Sequence, residues 1–296
     1  MPVIKYLRRN GLAYLLLFPA SSLVFILVFW PMVKTVVLSL QNASLFNLSE
    51  VRFVGLTNFR NLLGSDLFWL TFKNTLIWTF GSLGGEYLLG LSAALLLNQE
   101  IKGRTIFRGI IVIPWAVPVV VAALNWRWIL NPDFGIVNIL LVRWGLLKEP
   151  FYWLGGINTA LATCILVNVW RSFPFFTIAL LAALQAIPKE EIDAAKIDGA
   201  GSLQIFKHIT LPHLRTISVI TTILIIIWTF NNFDFVWLLT EGGPLHASEV
   251  LATLVYKNTF RFYQVSFASA IAVIMMGFLV MFGVLYLKMS LKEGGK

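Results

Sequence analysis

A few polar side chains stand inside long apolar stretches, and their spacing gives them a shared direction. Trp228, Asn231, Asn232 and Phe235 fall at i, i+3, i+4 and i+7, with Asp234 beside Asn231. Asn168, Arg171 and Phe175 fall at i, i+3 and i+7. Helical periodicity puts each set on one face. Amides, a carboxylate and aromatic rings on shared helix faces can bond a polar solute. On that chemistry Asn168, Arg171, Trp228, Asn231, Asn232, Asp234 and Phe235 are candidates to line a polar path through the apolar helices. The same groups can instead tie helices together, with Asp234 or Glu86 opposite Arg171 and the amides bonded to neighbours. An ionisable group at membrane depth costs about 3 kcal/mol on insertion scales, and either use offsets that cost. The sequence leaves both uses open.

No catalytic constellation accompanies these residues, and no catalytic or metal site is expected. Cys164 is the only cysteine, which forbids an intrachain disulfide and a cysteine-based zinc site. His208, His213 and His246 lack a zinc-type context, and no Walker A pattern occurs. The net charge of +9 comes from 23 basic and 14 acidic residues. Those bases sit in short clusters between apolar runs, which writes membrane topology rather than nucleic-acid binding.

The elements that must position these side chains belong to a membrane protein. Apolar residues make up 58% of the 296 and charged residues 12%, with a mean hydropathy of +0.81. Soluble domains carry about 25% charged residues. A bilayer-spanning helix needs about 20 mostly apolar residues. Six runs qualify, so the fold class is all-α with six transmembrane helices, near 12–35, 71–97, 107–130, 158–185, 215–239 and 264–288. The first run is too long for a signal h-region and is read as retained. Lys and Arg concentrate in 1–9, 102–108, 189–215 and 288–296, which places both termini in the cytoplasm. Pro114 and Pro118 predict a kink in the third helix. Gly81, Gly84, Gly85 and Gly90 predict close packing of the second. Trp30, Trp69, Trp126, Trp128 and Trp153 fall near outer boundaries, where an aromatic belt is expected.

The inner loop 186–213 reads as a helix, a bend and a second short helix outside the membrane. Pro188 suits a first turn. Glu190, Glu191 and Asp193 complement the dipole of the helix that follows. Ile192, Ala195 and Gly199 form a small apolar stripe that permits close approach of another backbone. Gly199 and Gly201 allow the bend, and Leu203, Phe206 and Ile209 continue an apolar face. Pro212 is expected to end the unit before the fifth helix. Such a loop can dock into a partner's groove or cover its own bundle.

The spacing Asp193-Ala194-Ala195, Gly199, Ile209, Leu211-Pro212 resembles the signature of permease subunits of ABC importers that use a solute-binding protein. Asp193 stands where that family usually has Glu. The segments 53–59, 231–235 and 239–244 resemble the sugar branch, and the termini resemble its maltose/glycerol-phosphate type, first-permease-like. The resemblance implies a single transmembrane domain over 1–296 in the inner membrane of a prokaryote. It further implies a second homologous permease, two ATPase subunits and an extracytoplasmic sugar-binding protein as partners. ATP and magnesium would sit on the ATPases, with no cofactor on this chain. Glu190, Glu191, Asp193, Ala194, Ala195, Gly199, Leu203, Phe206, Ile209, Leu211 and Pro212 would form the ATPase-coupling loop. Sugar would cross by alternating access, and the segments 130–147 and 241–263 would face the binding protein or cap the pore. The rival readings are an ion-coupled secondary transporter, against which the lack of an evident inverted repeat argues, and an intramembrane enzyme.

Overall fold

The computed structural model describes residues 15–46 and 51–293. Among them the protein is helices and connecting loops, and Gln41 and Phe53 form an isolated antiparallel bridge. The helices are α1 (Leu15–Ser39), α2 (Thr57–Leu63), α3 (Asp66–Asn98), α4 (Arg104–Ala116), α5 (Val119–Ile129) and α6 (Ile136–Arg143). They continue as α7 (Ala160–Gln185), α8 (Lys189–Ile197), α9 (Ser202–Phe230), α10 (Asp234–Thr240), α11 (Leu251–Tyr256) and α12 (Val265–Glu293). By length and composition 5 described helices can cross a membrane, or 6 if α4 and α5 count as one span.

That third span is where the sequence expectation needs correction. A kinked helix over 107–130 is instead two helices meeting at 91°. Pro114 stays inside α4, whereas the chain turns at Val117 and Pro118, both extended (ψ 131 and 139). A proline pushes the residue before it out of the helical region, and Val117 obeys.

The fifth span is corrected at both ends. It begins at Ser202, and Pro212 does not end a unit but lies in the first turn of the α-helical stretch that follows a π-turn over Phe206–Thr210. There the Leu211 N–H reaches the Phe206 carbonyl, five residues back. The widened turn lets the ladder pass a residue that has no donor. At the other end the helix breaks over 231–233 instead of running to 239. The Asn231 amide donates to the Ile227 carbonyl at 2.9 Å, and Asn232 Oδ1 accepts the Phe235 N–H at 3.2 Å. Asparagine amides compete with the helical ladder in this way. The expected 12–35 span is α1, whose residues 12–14 lie outside the described residues.

The chain divides into two compact units. One comprises the described residues up to Ser65 with 255–278. In it α1 exposes its side chains from Leu15 to Val33, save Ser22. The Asn58 amide donates to the carbonyls of Ser39 (2.8 Å) and Gln41 (2.7 Å), which fixes the turn after α1. Ser266 accepts the Ala43 N–H on its hydroxyl at 2.7 Å.

The other unit comprises 66–254 with the residues from 279 onward. Its most extensive helix pair is α3 with α7. A Cβ added at Gly90 would lie 2.4 Å from Phe176 Cβ, at Gly85 2.7 Å from Val169, and at Gly81 3.1 Å from Ile165. These three glycines let the two backbones meet. Gly84 differs from the expectation: nothing lies within 4 Å of its missing side chain, so it takes no part in this contact. Two apolar clusters flank the crossing, one built on Trp78, Cys164 and Phe235, the other on Phe176, Leu180 and Leu214. Of the expected aromatic belt, Trp30, Trp69 and Trp128 are exposed, while Trp126 and Trp153 turn toward the first cluster.

The glycines make opposite demands that a thermal-unfolding series in detergent can read. Gly90→Ala must part α3 from α7 and should cost about 1–3 kcal/mol, the usual cost of overpacking. Gly84→Ala enters open space and should leave the melting temperature unchanged or slightly raised. Equal effects at the two positions would refute the assigned contact face.

Candidate functional site

The residues expected to line a path do not share one surface. Asn168 and Phe235 are buried. Asn168 Nδ2 donates to Glu86 Oε1 at 2.9 Å, joining α7 to α3. Phe235 is wholly enclosed in the first apolar cluster, and Arg171 lies over its ring at 5.9 Å. Trp228, Asn231 and Asp234 are exposed, and Arg171 and Asn232 are half-buried. The single face drawn through Trp228, Asn231, Asn232 and Phe235 is thus corrected, because the helix that would carry it stops at Phe230. Trp228 instead packs on Phe175 at 5.4 Å, and Phe175 also meets Trp115 at 6.2 Å. Neither Glu86 nor Asp234 lies within ion-pair distance of Arg171 among the described residues. Glu86 Oε2 and Arg171 Nε are buried atoms with no hydrogen-bond partner.

A second set of polar ties was not singled out from sequence. Asn74, Trp78, Ser82, Glu86 and Gly90 are all buried and recur every fourth residue along α3. Asn74 Nδ2 lies 3.1–3.2 Å from the carbonyls of His246, Ala247 and Glu249. Thr75 Oγ1 accepts the Leu251 N–H at 2.8 Å, and Trp78 Nε1 donates to the Thr229 carbonyl at 2.9 Å. Glu249 is fully buried and meets His246. In the same unit, Asn138 is buried and bonds both backbone groups of Phe151 (3.0 and 3.1 Å) and the Trp153 indole (3.0 Å). The signal that could have revealed the first set is the i, i+4 row of polar residues in a helix otherwise apolar.

At the other end of α7 the 186–213 loop folds as expected in outline. Pro188 precedes α8, and Glu190 and Glu191 lie in its first turn. The helix then stops at Ile197, so Gly199 is not on its stripe. Gly199 instead takes a left-handed conformation, φ +81°. Its N–H reaches the Lys196 carbonyl (3.0 Å) and the Ala200 N–H reaches that of Ala195 (2.9 Å). That pair of bonds is the Schellman closure of a helix end. Nothing lies within 4 Å of a Cβ at Gly199, so its requirement is conformational rather than close contact within the chain. Ile192 and Ile209 pack onto the second apolar cluster. The outward apolar residues are Leu203 at 78% exposure and Ile197 at 87%, the latter not foreseen. Glu190, Glu191, Asp193, Ala194, Leu211 and Pro212 are exposed, while Ala195 and Phe206 are half-buried. Asp193 pairs with Lys196 at 3.1 Å, and Glu191 reaches His213 at 3.5 Å across the bend. Both limbs line a cleft of about 340 Å³ that includes Ala195, Gly199, Gln204, Ile205 and His208.

Residues 86–292 match the family described as the binding-protein-dependent transport system inner membrane component. The trehalose/maltose transport system permease protein MalF of Thermococcus litoralis is 36% identical over 287 residues, 97% of this chain and 96% of that protein. The sulfoquinovosyl glycerol transport system permease protein SmoG of Agrobacterium fabrum is 33% identical over 277 residues, 94% and 89% of the two chains. A chain from a bacterial alginate ABC transporter, solved in complex with an alginate pentasaccharide-bound periplasmic protein, shares the fold. The TM-score is 0.85 at 23% identity, over 98% of this chain and 97% of that one.

The bond between Asn168 and Glu86 predicts an asymmetric mutational response. Asn168→Ala leaves a fully buried carboxyl with no partner and should cost about 1–3 kcal/mol. Glu86→Gln keeps an acceptor for the Asn168 amide and should cost less. Thermal unfolding of the two variants side by side checks the order, and the reverse order would refute it.

Proposed function

The chain belongs to the binding-protein-dependent transport system inner membrane components, and from that premise we propose that it forms one half of the membrane pore of an ATP-driven sugar importer. The 1–296 chain acts as a single importer transmembrane domain in the inner membrane, with both termini in the cytoplasm. A second homologous permease completes the pore. Two separate ATPase subunits hold ATP and magnesium and carry the hydrolysis. An external binding protein delivers the sugar. Trehalose/maltose and sulfoquinovosyl glycerol transport in relatives supports a glycoside as the cargo. Family membership lends no support to the ion-coupled or enzymatic alternatives.

The observation that carries the reading is the 186–213 loop. It presents Leu203 and Ile197 outward, and it leads directly into the helix that ends at the polar break. Exposed apolar side chains beside a concave surface suit a partner's groove. Glu190, Glu191, Asp193, Ala194 and Ala195 form the first limb of the contact. Gly199 sets the bend, and Leu203, Phe206, Ile209, Leu211 and Pro212 form the second. Closure of the ATPases would move α8 against α9 and shift the helices behind them. Arg171, Trp228, Asn231, Asn232 and Asp234 line the sugar path. Asn168 and Phe235 hold that surface from behind.

Purification in mild detergent should recover a second six-helix permease and an ATPase with the tagged chain. Leu203→Ser should cut ATPase recovery without lowering the melting temperature, since Leu203 makes little contact within the chain. Gly199→Val should lower uptake per ATP hydrolysed, while Gly199→Asn should be milder. A left-handed backbone costs an ordinary residue about 1–2 kcal/mol, and asparagine tolerates it better. A single-chain species that crosslinks to no ATPase would refute the proposal.

A further inference from the structure

At the end of α7 remote from the loop, a second concavity remains without a role. It has a volume of about 390 Å³ and is lined by Arg127, Asn131, Tyr152, Trp153, Thr240 and Glu241 among others. With 26 residues, α7 separates this end from the loop by about 39 Å. The geometry points to a saccharide subsite here, a seat for one pyranose ring at the mouth of the path.

The lining is held in place before any ligand arrives. Asn138 fixes both backbone groups of Phe151 and the Trp153 indole N–H. Asn131 Oδ1 accepts the N–H groups of Asp133 and Phe134 at 2.8 and 3.3 Å, which leaves its NH2 without an intramolecular partner among the described residues. Gly135 supports that turn, since a Cβ there would lie 2.3 Å from the Asn131 carbonyl oxygen. Arg127 is exposed and makes no ion pair among the described residues. Glu241 adopts φ 53°, an uncommon conformation for a non-glycine residue. Strained residues gather where a site needs a side chain aimed.

The chemistry selects the ligand. Tyr152 and Trp153 supply aromatic surface, and Tyr152 is 62% exposed. Arg127 and the Asn131 amide donate and the Glu241 carboxylate accepts, while the Thr240 hydroxyl is held within the chain by Val236, Ser248 and Gly242. Donors, acceptors and a ring face around one hollow match a polyhydroxylated ring. The volume falls in the range of small-molecule pockets, about 300–1,000 Å³. The seat is also continuous with the candidate path. Thr240 ends α10, whose first residue is Asp234 and whose Phe235 lies under Arg171. Seven residues of helix span about 10 Å, so a ring in the pocket stands one short step from that polar surface. The inference rests on the sugar-importer reading.

Saturation-transfer NMR on the purified full chain tests it, with maltose, trehalose and an alginate trisaccharide as probes. At least one probe should show transfer to its ring protons. Arg127→Ala and Tyr152→Ala should each raise the half-saturating concentration roughly tenfold, the loss of about 1.4 kcal/mol. Both side chains are exposed, so folding should survive, and the melting temperature checks that. Ile106→Ala, an exposed residue of α4 outside both the hollow and the path, should leave this binding unchanged. No transfer from any probe overturns the subsite, while copurification of the ATPase still decides the importer reading independently. Transfer lost with Asn231→Ala but kept with Arg127→Ala and Tyr152→Ala places the sugar on the path and also overturns it. Failure of those two variants to bind the external protein, with sugar transfer intact, makes the hollow a protein contact and overturns it likewise.

Discussion

Helices in lipid gain nothing by burying apolar side chains against each other, because the lipid is as apolar as they are. Contact has to be earned by close backbone approach and by hydrogen bonds. In this chain both come from α3. Gly81, Gly85 and Gly90 bring its backbone against α7, and Glu86 meets Asn168 within that same contact. The row that carries Glu86 and Gly90 also carries Asn74 and Trp78. Asn74 gathers the 246–249 carbonyls, and Trp78 holds the carbonyl of Thr229 at the end of α9. One helix face therefore fixes α7, the tip of α9 and the 246–251 segment. Its polarity is the reverse of a soluble helix, with the polar residues inside.

This arrangement gives the 186–213 loop a mechanical context. The loop hangs between α7, which α3 grips along its length, and α9, which is continuous from Ser202 to Phe230. At 29 residues α9 is about 44 Å long. Its far end is bonded to Trp78, and just beyond it the chain breaks at 231–233. A rod pushed at one end and held near the other pivots, and a break beyond the holding point lets the next helix turn separately. The π-turn over Phe206–Thr210 interrupts the rod's regular ladder, and it falls within the segment proposed above to meet the ATPase. The His213–Glu191 approach, 3.5 Å, braces it against α8.

The membrane nature, most span positions and the loop were legible because they rest on long-range averages and on special residues. Twenty apolar residues are hard to mistake, and Pro188 with an acidic first turn announces a helix start. What failed was the assumption that a periodic pattern implies one helix. Asn231 and Asn232 have the spacing of a shared face, yet their amides bond backbone and end the helix that would have made it. Pro212 looked like a stop, yet a π-turn accommodates it. Gly199 looked like a packing residue, and only its dihedral angle reveals a Schellman closure. In each case a local side-chain or backbone alternative of about 1 kcal/mol decided the outcome, below what residue type and spacing can resolve. The sites inherit this limit. The 186–213 loop was readable as a helix–bend–helix segment, but which of its apolar residues face outward was not.

Arg171 carries the last step. It lies near the middle of α7, at the depth where a cation is most costly to expose to hydrocarbon. Asn168, one turn away, is satisfied inside the chain by Glu86. Arg171 is only half-buried, and its contact within the chain is the face of Phe235. Lipid cannot be the neighbour on its open side, so that side faces water or another protein. Asp234, at the start of the helix that carries Phe235, is exposed on the same terms. Arg171 and Asp234 form no ion pair with each other among the described residues, whereas Glu86 is at least bonded to Asn168 within the chain. The polar residues thus divide by function as well as by burial. Those on α3 hold the chain together, and those around Arg171 need a pore or a partner to exist in a membrane at all.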